Sequence, residues 1–260
     1  MDISFVTSNL SEDINEVITF AKKNNLRYIE LDRINNKNIT ELNLEDAALL
    51  SSQISSAGIL VSAIASPFLK WSYLESSFNI CGQLVDSEEK YFTLLMDIAD
   101  IFGASGIRIY SYLKDNISME ELGQKLDKYS QMALDRGITL LLENDGLCNI
   151  DTISQMHQLF ELYSFSNIAP LLDLGTTIAL SDNFAPQELQ DLINMCQYFH
   201  IKDYDNDLKR NVVIGEGNLD YEALLENKFV DNSTILSLNP HTGYPEDLQM
   251  SLNILQSFGD

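Results

Sequence analysis

An alternation that runs the length of the chain constrains its fold more than any other feature. Apolar stretches of strand length alternate with longer segments of helical period. The strand-like stretches cover residues 3–7, 28–31, 59–65, 107–110, 138–143, 168–173, 197–202 and 234–238. Helical periodicity occupies about 11–24, 44–57, 87–102, 118–135, 152–163, a shorter piece after Pro186, and about 246–258. Eight strand-like stretches alternating with seven helical segments in 260 residues predict an α/β protein folded as a single closed (β/α)₈ barrel. The alternative, an open doubly wound sheet, lacks the Gly-rich GxGxxG turn expected after its first strand.

Gly58, Gly103, Gly106 and Gly137 stand where helices should stop and strands begin, the positions of helix C-caps. Pro170 is awkward in a buried strand and predicts an irregular start to the sixth. No linker or low-complexity tract divides the chain, so residues 1–260 are read as one barrel domain. The segments after strands three and seven are long, and long barrel loops commonly carry function.

Composition narrows the partners. Thirty-nine acidic against 16 basic residues give a net charge of -23. Such a field repels phosphate backbones, which argues against nucleic acid as a partner. No apolar run reaches the roughly 18 residues of a membrane span, and the opening Met1-Asp2-Ile3-Ser4-Phe5 has no basic signal-peptide region. Cys81, Cys148 and Cys196 are widely spaced and odd in number, forming neither a disulfide framework nor a CxxC metal knuckle. Together these features predict a cytoplasmic protein. They leave open whether it forms a homo-oligomer.

In a (β/α)₈ barrel the chemistry sits at the C-terminal strand ends. The polar residues there are Glu30, Glu143, Asp173, His200-Ile201-Lys202-Asp203 and Asn239-Pro240-His241. A carboxylate directly after an apolar strand is costly to bury unless it is paired, protonated or bound to metal. Glu143, Asp173 and His200 end three consecutive strands. Two carboxylates and an imidazole suit a divalent cation such as Mn²⁺, Mg²⁺, Co²⁺ or Zn²⁺.

At these residues the sequence resembles the xylose isomerase-like TIM barrel superfamily, which includes sugar epimerases and isomerases, inosose dehydratases and endonuclease IV. The matching segments are Ile138-Thr139-Leu140-Leu141-Leu142-Glu143-Asn144, Leu171-Leu172-Asp173-Leu174-Gly175, Phe199-His200-Ile201-Lys202-Asp203 and Gly215-Glu216-Gly217-Asn218-Leu219-Asp220-Tyr221. The resemblance implies a metal held by Glu143, Asp173, His200 and a fourth ligand at the end of strand eight. There the family has a second Glu, and this chain has Asn239. The implied activity is isomerisation or epimerisation of a small sugar or sugar phosphate, by proton transfer beside a metal-polarised carbonyl. An inosose dehydratase-like lyase is the second choice. An amide cannot take a proton near neutral pH, so the family's two-base epimerisation should fail, while one-base isomerisation or dehydration survives. The other class of reading is a catalytically impaired barrel that binds a carbohydrate or cyclitol. An endonuclease IV-like enzyme would need more histidines than the three present and a basic groove.

Several residues carry two readings. Glu143 is the expected catalytic carboxylate, with Lys202 and His241 as further candidates. Lys202 could equally meet a substrate phosphate or hydroxyl, and His241 could be an ordinary loop histidine. Asp173 is either a ligand or a helix cap. Glu30 either binds a sugar hydroxyl or pairs with Arg33 or another strand end. Trp71 either covers a sugar ring or packs its long loop. Asp203 is read as a substrate contact through the family motif or as solvated surface.

Overall fold

Eight parallel strands stand side by side in the computed structural model, which describes residues 2–114, 117–180, 182–221 and 234–257. They are β1 (Asp2–Phe5), β2 (Tyr28–Leu31), β3 (Leu60–Ile64), β4 (Gly106–Ile109), β5 (Thr139–Glu143), β6 (Ile168–Asp173), β7 (Tyr198–Ile201) and β8 (Ile235–Leu238). Their order is β1-β8-β7-β6-β5-β4-β3-β2. A parallel bridge between Val6 and Glu30 brings β1 beside β2 and closes the ring. The fold is the single (β/α)₈ TIM barrel that the alternation predicts.

The helices among the described residues are α1 (Ile14–Lys23), α2 (Leu44–Ser56), α3 (Glu88–Phe102), α4 (Met119–Leu134), α5 (Ile153–Leu162), α6 (Leu174–Ala179), α7 (Pro186–Met195) and α8 (Pro245–Ser257). None is long and apolar enough to cross a membrane. Each start is chemically marked. Ser118 and Thr152 form capping boxes with Glu121 and Gln155, and Ser87 caps α3. Gly58, Gly103 and Gly137 take positive φ after helices as expected, whereas Gly106 begins β4 instead of capping a helix. The predicted last helix is present, although its expected end at Phe258 lies outside the described residues.

Pro170 does not disturb β6, which is regular from Ile168. Asn167 turns its carbonyl to β5, so Pro170, of opposite parity, faces β7, where pairing starts only at Leu171. The missing N–H therefore breaks no ladder bond. Three features were not foreseen. The segment after β6 holds two helices. Short hairpins follow β2 (Arg33–Ile34 with Lys37–Asn38), β3 (Phe78–Ile80 with Gln83–Val85) and β7 (Asp203–Asp205 with Arg210–Val212). A register shift between Ile29 and Glu30 bulges β3 at Ser62.

Side-chain alternation along the strands separates two interiors. Ile107, Ile109, Leu140, Leu142, Leu172, Phe199, Ile201, Leu236 and Leu238 turn outward into the main core beneath the helices. Ala63, Leu141, Leu171 and Tyr198 form a small apolar plug inside the barrel. Two residues further along three of the plug's strands come Glu143, Asp173 and His200, each on the inner side and each buried.

Candidate active site

Period-two alternation carries side chains of one strand to the same face, so the plug residues Leu141, Leu171 and Tyr198 predict where Glu143, Asp173 and His200 must point. Ligand atoms of these three lie within 4.8 Å of one another. The expected convergence of β5, β6 and β7 is present.

His200 sits between two carboxylates. Its Nδ1 is 2.8 Å from Glu143 Oε1, and its Nε2 is 3.0 Å from Glu30 Oε2. Burial opposes a charge on this ring, but Glu30 and Glu143 outweigh it and raise its pKa to about 10. With no cation beside it, the ring is an imidazolium that donates on both sides. Glu30 is fully buried and also accepts from Tyr198 Oη at 2.8 Å and Ser237 Oγ at 2.7 Å. Its pKa is lowered despite burial, by His200 and then Arg108. These contacts are those of its second reading, a pair with another strand end. Arg33 pairs with Glu12 instead.

Asp173 takes the helix-cap reading and adds an ion pair. Oδ1 accepts from Thr176 N at 2.9 Å and caps α6, while Oδ2 pairs with Lys202 Nζ at 2.7 Å. Asn144 grips the Asp173 backbone on both its N–H (2.9 Å) and its carbonyl (3.2 Å), fixing the end of β6 against β5. Lys202 lies across Gly175, where an added Cβ would come within 2.5 Å of its Cγ, so only glycine permits this approach. Burial works against the Lys202 charge, but Asp173 raises its pKa.

Arg108 was missed. It points inward from β4, and its Nε is 3.5 Å from Glu143 Oε2. Neither atom has a hydrogen-bond partner, although both are buried. Burial disfavours charge on Glu143, yet His200, Arg108 and Lys202 hold it ionised, well below the usual carboxylate range. The lone cation in Ile107-Arg108-Ile109 was a legible signal, since a strand flanked by outward apolar residues must turn Arg108 inward.

The other expected residues are placed as follows. Asn239 is buried, with Nδ2 3.3 Å from His200 Nδ1 and Oδ1 accepting from Asn9 at 2.9 Å. His241 is exposed at the barrel mouth and lines a cleft of about 450 Å³ with Arg210, Glu216 and Tyr244. Desolvation of the ring, then Lys202 and His200, lower its pKa. Trp71 is not brought to the centre. It packs against Phe68, Phe78 and Tyr91 and reaches Glu88 through Nε1 at 3.3 Å, so its contacts are those of loop packing. Asp203 is also consumed locally. Its two oxygens accept from the backbone N–H groups of Tyr204, Gly215, Gly217 and Leu219 at 2.8–3.1 Å. It ties down the loop after β7, and no oxygen is left aimed at a substrate.

The donor set fits a dication. Glu143, Asp173 and His200 supply three hard or borderline donors from one point, and the orphaned Glu143 Oε2 is an acceptor that such an ion would satisfy. Glu30 on the far ring nitrogen is the outer carboxylate that orients a ligating histidine and leaves Nδ1 toward the ion.

Fold and site together define a (β/α)₈ barrel with a carboxylate–imidazole centre at the C-terminal strand ends. A profile of the xylose isomerase-like TIM barrel family matches residues 18–246, and the chain belongs to that family. No curated protein matches it in sequence. Among solved structures it is similar to the probable 3-DHS dehydratase AsbF of Bacillus anthracis (TM-score 0.78, 17% identity, 98% of this chain and 99% of that one). It is also similar to the IolI protein with a bound zinc atom (0.74, 18%, 99% and 98%). A third is the E. coli 3-keto-D-glucoside 4-epimerase YcjR (0.73, 17%, 100% and 99%). At these identities the likeness speaks for the fold.

Proposed function

We propose that the chain is a divalent-metal-dependent enzyme acting on a small sugar, sugar phosphate or keto-cyclitol, by isomerisation or dehydration through proton transfer beside a carbonyl. The observation that carries this reading is the buried meeting of Glu143, Asp173 and His200 at one point. These three would hold the ion. The ion would polarise the substrate carbonyl and acidify the neighbouring C–H.

The chain's own residues supply the rest. Glu143 would be the base that removes the proton, through the carboxylate oxygen that the ion does not take. Lys202 Nζ, released from Asp173, donates to a substrate oxygen. His241, its pKa lowered and its ring at the mouth, is neutral near pH 7 and carries protons to and from solvent. Charge supports an anionic intermediate. Three carboxylates (Glu30, Glu143, Asp173) face three cations (Arg108, Lys202, His200⁺). Replacing the His200 proton by a dication leaves one net positive charge, which an enediolate would neutralise. The three buried free cysteines agree with a reducing, cytoplasmic setting.

The test is turnover of ketoses, ketose phosphates and keto-cyclitols by metal-reconstituted protein. Glu143→Gln should lower kcat by about 10²-fold or more. Unchanged turnover would remove the catalytic assignment. The impaired, carbohydrate-binding barrel stays as the second reading because Asn239 supplies no base. Activity gained by Asn239→Glu where the unaltered chain has none would favour it.

A further inference from the structure

A carboxamide has one accepting and one donating end, and which end of Asn239 faces the centre decides what that position can hold. Hydrogen bonds anchored on the main chain settle it. The backbone N–H of His241 can only donate, and it lies 2.8 Å from one terminal atom of Asn9, which must be the oxygen. The other terminal atom of Asn9 lies 3.5 Å from the Val6 carbonyl, which can only accept, so that atom is nitrogen. This Nδ2 donates to Asn239 at 2.9 Å, making the atom it meets the oxygen. The remaining terminal atom of Asn239, 3.3 Å from His200 Nδ1, is therefore the NH₂ group. Turned over, the Asn239 NH₂ would meet the Asn9 NH₂ at 2.9 Å in a buried place, whereas as held it flanks, at 3.3 Å, a His200 Nδ1 whose own proton goes to Glu143. The polarity follows from main-chain groups whose roles are fixed, independent of how amide atoms are assigned.

We infer that Asn239 is not a fourth metal ligand but a hydrogen-bond donor that Asn9 holds toward the centre. An oxygen of substrate or water beside the ion would then accept from Asn239 Nδ2. An oxygen that gains negative charge is favoured there, where a carboxylate side chain would repel it. Asn9, in the turn after β1, is a positioning residue, joined to the turn after β8 through His241 N. The inference rests on the metal reading of Glu143, Asp173 and His200.

The full chain, stripped of metal by chelation, is titrated with Mn²⁺ alone by calorimetry. Asn239→Ala should bind Mn²⁺ with a Kd within about twofold of the unaltered chain, and a loss of about tenfold or more would make Asn239 a ligand and overturn the inference. Asn239→Asp, nearly isosteric, should tighten Mn²⁺ about tenfold, and no gain would show that the position does not face the ion. In metal-free protein, NMR should show a cross-peak between the Asn239 side-chain NH₂ and His200 Hε1. Its absence would overturn the orientation. Asn9→Asp keeps an acceptor for His241 N–H but cannot donate to Asn239. It should abolish the cross-peak and tighten Mn²⁺ severalfold, as the amide turns its oxygen inward. A retained cross-peak would remove Asn9 from the role. If the unaltered chain binds no Mn²⁺, the metal reading fails, while the cross-peak still decides how Asn239 is held.

Discussion

Arg108 shows how one side chain sets the character of a site. It lies 3.5 Å from Glu143 and contributes attraction to Glu30 as well, so it stabilises two buried carboxylates without a hydrogen bond of its own from Nε. Removing one member of a buried charge group costs more than the group is worth, because the partners stay buried and uncompensated. Arg108→Leu should therefore destabilise metal-free protein by about 3 kcal/mol in urea unfolding. Added Mn²⁺ should recover much of that loss by supplying the missing positive charge. A loss unaffected by Mn²⁺ would separate Arg108 from the metal position. The same cluster sets a pH window. His200 is raised to about 10, so its contribution is complete below its ordinary value of 6.5 and disappears as pH climbs through about 10. Glu30 and Glu143 are lowered, so theirs are complete above 4.5 and disappear as pH falls. The Tm of metal-free protein should fall between about pH 6 and about pH 10, and Mn²⁺, which needs the His200 Nδ1 proton gone, should flatten the decline. A Tm equally flat without metal would contradict the imidazolium assignment.

At the scale of elements, Asp203 explains why a motif residue can be essential without touching a substrate. Four backbone N–H groups from a loop spanning residues 204–219 converge on its two oxygens, a set of charge-assisted bonds inside the fold. The loop carries Arg210 and Glu216, which line the cleft beside His241, so Asp203 shapes that cleft indirectly. Asp203→Ala should cost about 3 kcal/mol and open the loop to limited proteolysis near Asn206–Lys209 while the helical circular dichroism persists. Protease resistance equal to that of the unaltered chain would show that the loop is held elsewhere. The sequence displayed Asp203 beside His200 and Lys202, but only the folded loop shows that its donors come from residues up to 16 positions away.

For the molecule as a whole, 39 acidic and 16 basic side chains repel one another across the surface. Raising NaCl from about 0.02 to about 0.5 M, with chelator present, should raise Tm by about 3–5 °C as screening shortens the reach of that repulsion. A falling Tm would mean that surface ion pairs outweigh net charge. The barrel itself was legible because strand and helix periods are local properties, repeated eight times, and alternation within a strand fixes which residues face inward. From that, Glu143, Asp173 and His200 could be placed together before any coordinates. Which of these charges pair was not legible, because Arg108, Glu30 and Lys202 reach the centre from strands far apart in sequence, and their pairing depends on barrel closure and the bulge at Ser62. Trp71 and Asp203 went to packing and loop anchoring for the same reason, since Trp71 meets Phe78 of a hairpin together with Tyr91 and Glu88 of α3, and Asp203 meets a loop that carries no periodic signal. Sequence fixes which side of a strand a residue takes, a matter of two bonds' geometry. Which atom it meets there, and so the hydrogen-bond direction of Asn239, is decided by contacts such as Asn9 to Asn239, 230 residues apart, that exist only once the ring has closed.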